Sequence, residues 1–270
     1  MHLSVSNIAW HRGDDASFLS ILREFGFTGV DIAPTKVWPD WNSSVDDWAA
    51  FAKLLDGFGL SAIGMQSIFF GTQGLNVFAA ADLWSETKRH LRRVARLARG
   101  IGATRVVFGA PANRDPGEIP PERAYDIALR RLRRLASIFD EQAAVLCMEP
   151  VPAEVGGKFL RTTLETAEFV RAVGHRGIAL NLDAAFLTAE SVPVGDTIQA
   201  CADVIAHVHA SEPGLSDFAQ PRSAHAEIAS ALRAVGYRGA VAIEMRGVAG
   251  MEEPNLRAAM SVVRQCYGTA

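Results

Sequence analysis

Amphipathic helical stretches and short apolar runs alternate along this chain, and the joint between them recurs. It reads Leu22-Arg23-Glu24-Phe25-Gly26-Phe27-Thr28-Gly29-Val30, then Val170-Arg171-Ala172-Val173-Gly174-His175-Arg176-Gly177-Ile178, then Leu232-Arg233-Ala234-Val235-Gly236-Tyr237-Arg238-Gly239-Ala240. A looser copy runs from Leu97 to Val106. Each copy is a helix end, a glycine suited to a left-handed C-cap, a short turn and a β-rich run. Laid along the chain, this unit predicts strands near 3–9, 28–33, 60–66, 104–109, 145–149, 178–183, 204–209 and 239–244. Thr162-Thr163-Leu164-Glu165 predicts a capping box for the helix after the fifth strand, and Ile228, Leu232 and Val235 carry helical apolar spacing before the eighth. Eight such units without a long linker or a break in composition predict an α/β fold, a single-domain (β/α)8 TIM barrel over 1–270, in preference to a doubly wound sheet. No nucleotide fingerprint intrudes: Asp56-Gly57-Phe58-Gly59 lacks phosphate-loop spacing, and no Gly-Lys-Ser/Thr exists.

The composition suits this reading. Of 270 residues, 49% are hydrophobic and 21% charged, enough for a large core and too apolar for a disordered chain. A net charge of -3 supplies no global positive field for nucleic acid. The basic residues are nearly all arginine, the exceptions being Lys36, Lys53, Lys88 and Lys158. Arg89, Arg92, Arg93, Arg96 and Arg99 lie opposite Leu91, Val94, Ala95 and Ala98, which describes an amphipathic helix with a solvated face. Such arginine-rich helices also offer a surface for a homo-oligomer. Cys147, Cys201 and Cys266 have no paired spacing and read as reduced thiols of a cytoplasmic protein. No export signal and no apolar run of membrane-spanning length is present.

Barrel active sites lie at the C-terminal ends of the strands, and four successive strands here end in ligand-type residues. They are Glu149, Asp183, His209 and Glu244. Alternation along each strand puts Cys147, Asn181, His207 and Ala242 on the same face, which is the smaller and more polar one and therefore the barrel interior. The four ends are expected to converge at one mouth. Three crowded carboxylates repel unless a cation compensates, so one divalent metal ion per chain is expected, and the donor set suits Mn²⁺, Mg²⁺, Co²⁺ or Zn²⁺ without choosing among them.

With these residues the chain resembles the xylose-isomerase-like barrels of sugar phosphate isomerases and epimerases, and at the metal site the ketose 3-epimerases. The resemblance rests on Gly29-Val30-Asp31-Ile32-Ala33-Pro34, Met148-Glu149-Pro150, Asn181-Leu182-Asp183, His207-Val208-His209-Ala210-Ser211-Glu212 and Ala242-Ile243-Glu244. It implies that Glu149, Asp183, His209 and Glu244 hold the metal, and that Glu149 and Glu244 act as catalytic acid and base on opposite faces of a sugar-like substrate. The metal would grip the carbonyl and a neighbouring hydroxyl while an enediolate forms. The same ligand set would serve a dehydratase or lyase expelling a β-hydroxyl; a non-catalytic binding barrel and an apurinic endonuclease are the remaining alternatives.

Where the epimerases carry a substrate-contacting histidine and an arginine, this chain has Phe186 and Leu215, so their sugar pocket is not reproduced. The additional histidines of the endonuclease branch are also missing, at Phe186 and along Gly64-Met65-Gln66-Ser67. Candidate substrate contacts are Gln66 at the end of strand three, His207 one pair below His209, and Glu212, which could also orient His209. Lys158, with Arg161, and Arg246 are candidates for an anion, and Trp10, Trp38 and Phe186 for pocket walls. His225 reads as a capping or surface residue.

Overall fold

A computed structural model describes residues 1–268; the last two positions of the span 1–270 lie outside the described residues. Eight parallel strands form one closed sheet: β1 (His2–Ser6), β2 (Gly29–Ile32), β3 (Ser61–Met65), β4 (Arg105–Phe108), β5 (Val145–Met148), β6 (Ile178–Asp183), β7 (Ile205–Ser211) and β8 (Ala240–Glu244). Strand β1 pairs with both β2 and β8, with His2 opposite Ala240, and so closes the barrel. Helices follow the strands in an outer ring: α1 (Asp15–Glu24), α2 (Pro34–Val37), α3 (Val45–Gly57), α4 (Ala81–Ile101), α5 (Pro121–Asp140), α6 (Thr163–Val173), α7 (Ala184–Ala189), α8 (Val194–Cys201), α9 (His225–Ala234) and α10 (Glu252–Tyr267). The longest, α4, buries Leu91, Val94, Ala95 and Ala98 and leaves its arginines in solvent, as its periodicity predicts.

The recurring joint has the backbone its glycines require. Gly26, Gly102, Gly174 and Gly236 all have positive φ, between 61° and 84°, where a side chain would be strained. Two local expectations change. Strand one stops at Ser6, because Asn7 turns away and its Oδ1 accepts from the Ala33 amide at 2.8 Å. The capping box at α6 is only half formed: Thr162 Oγ1 accepts from Glu165 N, but the Glu165 carboxylate takes the Arg161 amide instead of that of Thr162.

Apolar side chains on the outward strand faces, such as Leu146, Leu182, Val208 and Ile243, are buried beneath the helices. The interior is polar where it approaches the C-terminal mouth. Ser4, Asp31 and His207 reach across from β1, β2 and β7 to hydrogen-bond one another, each fully buried. No helix among the described residues is long and apolar enough to cross a membrane.

Candidate metal centre

Four consecutive strand ends deliver the cluster. Register sets His209 level with Asp183 and Ala242, and the continuing β7 sets Ser211 level with Glu244. Glu149 follows directly after β5. Candidate donor atoms of Glu149, Asp183, His209 and Glu244 all lie within 4.8 Å of one another. The imidazole and the aspartate are buried, and the two glutamate side chains retain only 10% and 15% exposure.

The three carboxylates repel one another here. Burial, reinforced by the charges of Glu149 and Glu244, pushes the Asp183 carboxyl up to about 7. Burial alone would push His209 down, but the charge of Glu244 and contacts to Asp31, Glu149 and Glu244 carry it well above the usual imidazole range. His209 Nδ1 stands 3.2 Å from both Glu149 Oε1 and Glu244 Oε2, yet aligns with neither as a hydrogen bond. An imidazole nitrogen and three carboxylates facing one small space, with that nitrogen unpartnered, fit one divalent ion with oxygen and nitrogen ligands.

Surrounding groups hold these side chains in place. Asn181 donates to Glu149 Oε1 at 2.7 Å, and Gln66 donates to Glu244 Oε1 at 2.7 Å, so each glutamate is gripped by one neutral amide. Asp183 Oδ1 caps α7 through the Phe186 amide, while Ser211 Oγ donates to its Oδ2. Gly109 leaves the room that the Glu149 carboxylate occupies, because a Cβ there would fall 1.9 Å from Glu149 Oε2 and displace it. Arg114, buried, donates to the main-chain carbonyl of Glu149; burial brings its guanidinium down to about 10 against the pull of Glu149 and Glu165.

Below the cluster Asp31 lies 3.8 Å from His209 Nε2 and 2.6 Å from His207 Nε2, and accepts from Ser4 Oγ at 2.9 Å. Burial would raise its carboxyl, but His207 and then His209 hold it far below the usual range. Gly64 leaves the room it occupies, since a Cβ there would fall 2.2 Å from Asp31 Oδ2. Asp31 is thus a buried carboxylate behind the metal-facing imidazole, hydrogen-bonded to His207 and within ion-pair distance of His209 without a hydrogen bond to it. Its charge favours a proton on His209 Nε2, the state that leaves Nδ1 free for a cation. Asp31→Asn is expected to weaken Mn²⁺ binding about 10- to 100-fold in titration calorimetry; unchanged affinity would deny Asp31 this role.

Two cavities meet at the cluster. One of about 970 Å³ includes Glu149, Asp183, Glu244, Phe186 and Arg246, and one of about 310 Å³ includes Gln66, Glu149, His209 and Glu244. Phe186 and Arg246 line the larger cavity and Gln66 the smaller. Of the five other expected contacts, His207, Trp10, Trp38 and Lys158 line neither cavity, and Glu212 lines the larger one. His207 is fully buried beneath the cluster, held by Asp31. Trp10 stacks on Phe18 and donates to Asp15, lining neither cavity, and Trp38 packs edge-on to Phe51. Lys158 pairs with Asp115 at 2.8 Å away from both cavities, whereas its neighbour Arg161 lines the larger one. Glu212 borders that cavity with its carboxylate turned inward, to His225 at 2.9 Å and to the amides of Arg222 and Ser223; it does not orient His209. His225, expected as a cap or surface residue, is buried between Glu212 and the Tyr267 hydroxyl.

A family model described as xylose isomerase-like TIM barrel matches residues 19–266. The chain is similar to a D-psicose 3-epimerase of Enterocloster bolteae, 32% identical over 117 residues that cover 43% of this chain and 38% of the relative. A second D-psicose 3-epimerase, of Ruminiclostridium cellulolyticum, is 24% identical over 44% of this chain and 41% of its own. The chain thus matches only about two-fifths of the length of these curated relatives. Among solved structures it superposes on D-psicose 3-epimerase with D-tagatose from Clostridium cellulolyticum H10 with a TM-score of 0.84, 17% identity and full coverage of both chains. It also superposes on 3-keto-D-glucoside 4-epimerase from E. coli, TM-score 0.80, 16% identity, covering 98% of this chain and 100% of that one.

Proposed function

Because the chain belongs to the xylose isomerase-like TIM barrel family, we propose that it is a divalent-metal-dependent epimerase or isomerase of a sugar-like hydroxy-carbonyl compound. The observation that carries this reading is the pair of amide-held glutamates, Glu149 from β5 and Glu244 from β8, at the two ends of a four-strand arc of donors. The curated relatives, both named D-psicose 3-epimerase, support the same reaction type.

Glu149, Asp183, His209 and Glu244 would hold the ion, and Mn²⁺ is the occupant we propose among the four this set suits. When bound, it polarises the substrate carbonyl and acidifies the adjacent carbon-bound proton. The rest is done by this chain. One glutamate removes that proton, giving an enediolate, and the other returns a proton to the opposite face. Asn181 and Gln66 donate to one oxygen of each glutamate, which restrains the carboxylate for proton transfer. Ser211 donates to Asp183 Oδ2 and keeps that carboxylate from swinging into the space the substrate needs.

The test is a panel of ketoses and aldoses incubated with Mn²⁺-loaded protein in D₂O and followed by NMR and mass spectrometry. One non-exchangeable deuterium per turnover, with product isomeric to substrate, is expected. An unsaturated product short of one water would replace the reading with dehydration, and no deuterium from any substrate would overturn it.

A further inference from the structure

We infer that the substrate carries an anionic group, phosphate or carboxylate, at its non-reacting end, and that Arg246 and Arg161 bind it. This rests on the reading that the metal centre handles a hydroxy-carbonyl compound, and it names what that compound must bear. Both arginines line the 970 Å³ cavity that contains Glu149, Asp183 and Glu244. Arg246 follows Glu244 by two residues, and its main-chain amide donates to Leu215 O at 2.9 Å, stitching the extension of β8 to the loop after β7. Both residues are exposed. Among the described residues the arginine–carboxylate pairs are made by Arg171, Arg176 and Arg257; neither cavity arginine is in one.

The remaining lining makes this pair informative. Phe186 and Leu215 present hydrocarbon and give a sugar hydroxyl no partner. Of the hydroxyl side chains there, Ser211 both donates to Asp183 and accepts from the Ala185 amide, and Thr162 accepts from the Glu165 amide. Glu190 accepts from Thr163 and Glu212 from His225. Besides the metal-binding carboxylates, the charged groups left for a ligand are the two guanidiniums and the exposed Glu154. A guanidinium presents a planar fork of donors that matches a carboxylate or phosphate edge. The cavity volume lies at the upper end of the range for drug-sized ligands, which leaves room for such a substituent.

Titration calorimetry on Mn²⁺-loaded protein with D-fructose, D-fructose 6-phosphate and D-fructuronate tests this, since binding is read without turnover. At least one charged sugar is expected to bind on the order of tenfold more tightly than D-fructose, as charge-assisted hydrogen bonds allow, and to weaken with added salt. Which one does so separates phosphate from carboxylate. In the Arg161→Ala/Arg246→Ala double variant the ratio of charged to neutral affinity should collapse to within about twofold of unity. Absence of binding by either charged sugar, a wild-type ratio near one, or a ratio untouched by the double substitution would overturn the inference. Deuterium exchange is scored separately: a preserved charge ratio without exchange would remove the catalytic reading and leave the anion site standing.

Discussion

Glu244→Gln is expected to cut net epimerisation by about 10³-fold, within the 10²- to 10⁴-fold range typical of a lost acid–base group. The amide oxygen can still accept from Gln66, so the substitution preserves shape and hydrogen bonding while removing the proton acceptor. Glu149→Gln should do the same through its contact with Asn181. The two variants differ in what survives. With one glutamate intact, a proton can still leave and return on that glutamate's own face, so each variant should wash deuterium into a single epimer far faster than it interconverts the two. Both glutamates also belong to the donor cluster, so the assay is run at saturating Mn²⁺ with metal content measured alongside. Full epimerisation by either variant, or deuterium entering both epimers at similar rates, would contradict the two-base assignment.

What was legible in the sequence divides along a physical line. The recurring helix–glycine–strand joint reports on local backbone needs, and its glycines do occupy left-handed conformations. The four strand-end residues were legible because a parallel barrel delivers its C-terminal strand ends to one mouth, so position along a strand converts directly into position in space. Asp31 escaped notice because it lies inside an apolar strand between Val30 and Ile32, and its signal is the inward face it shares with Gly29. Only the barrel's closure brings β2 within reach of β7, which sequence spacing does not reveal. Loop residues were the hardest. Lys158 and Arg161 lie three residues apart in one loop, yet one pairs with Asp115 and the other faces the cavity. Glu212 follows the pattern of an acid near the metal-facing histidine, but His225, thirteen positions later, claims its carboxylate.

Asp183→Asn is expected to change stability with opposite signs depending on metal. In the metal-free protein burial and the neighbouring charges of Glu149 and Glu244 raise the Asp183 carboxyl to about 7, above its unfolded value. The folded state then holds a proton that the unfolded chain has released between about pH 4 and 7, so stability falls as pH rises through that window. Above pH 7 the charged cluster therefore costs stability, with the raised His209 offsetting part of that cost. Asparagine removes that charge while its side-chain oxygen keeps the cap on α7 and its amide still reaches Ser211. In EDTA at pH 8 the variant should therefore resist denaturant better than the wild type, and the advantage should vanish near pH 4. With Mn²⁺ at a thousandfold its dissociation constant the wild type gains about 4 kcal/mol by mass action, and the variant, having lost a ligand, gains little. The order of the two denaturation midpoints should consequently reverse on adding metal at pH 8. A variant less stable than wild type in EDTA at pH 8 would show that these carboxylates are not held in repulsion, and with it would go the electrostatic reason for placing a cation among them.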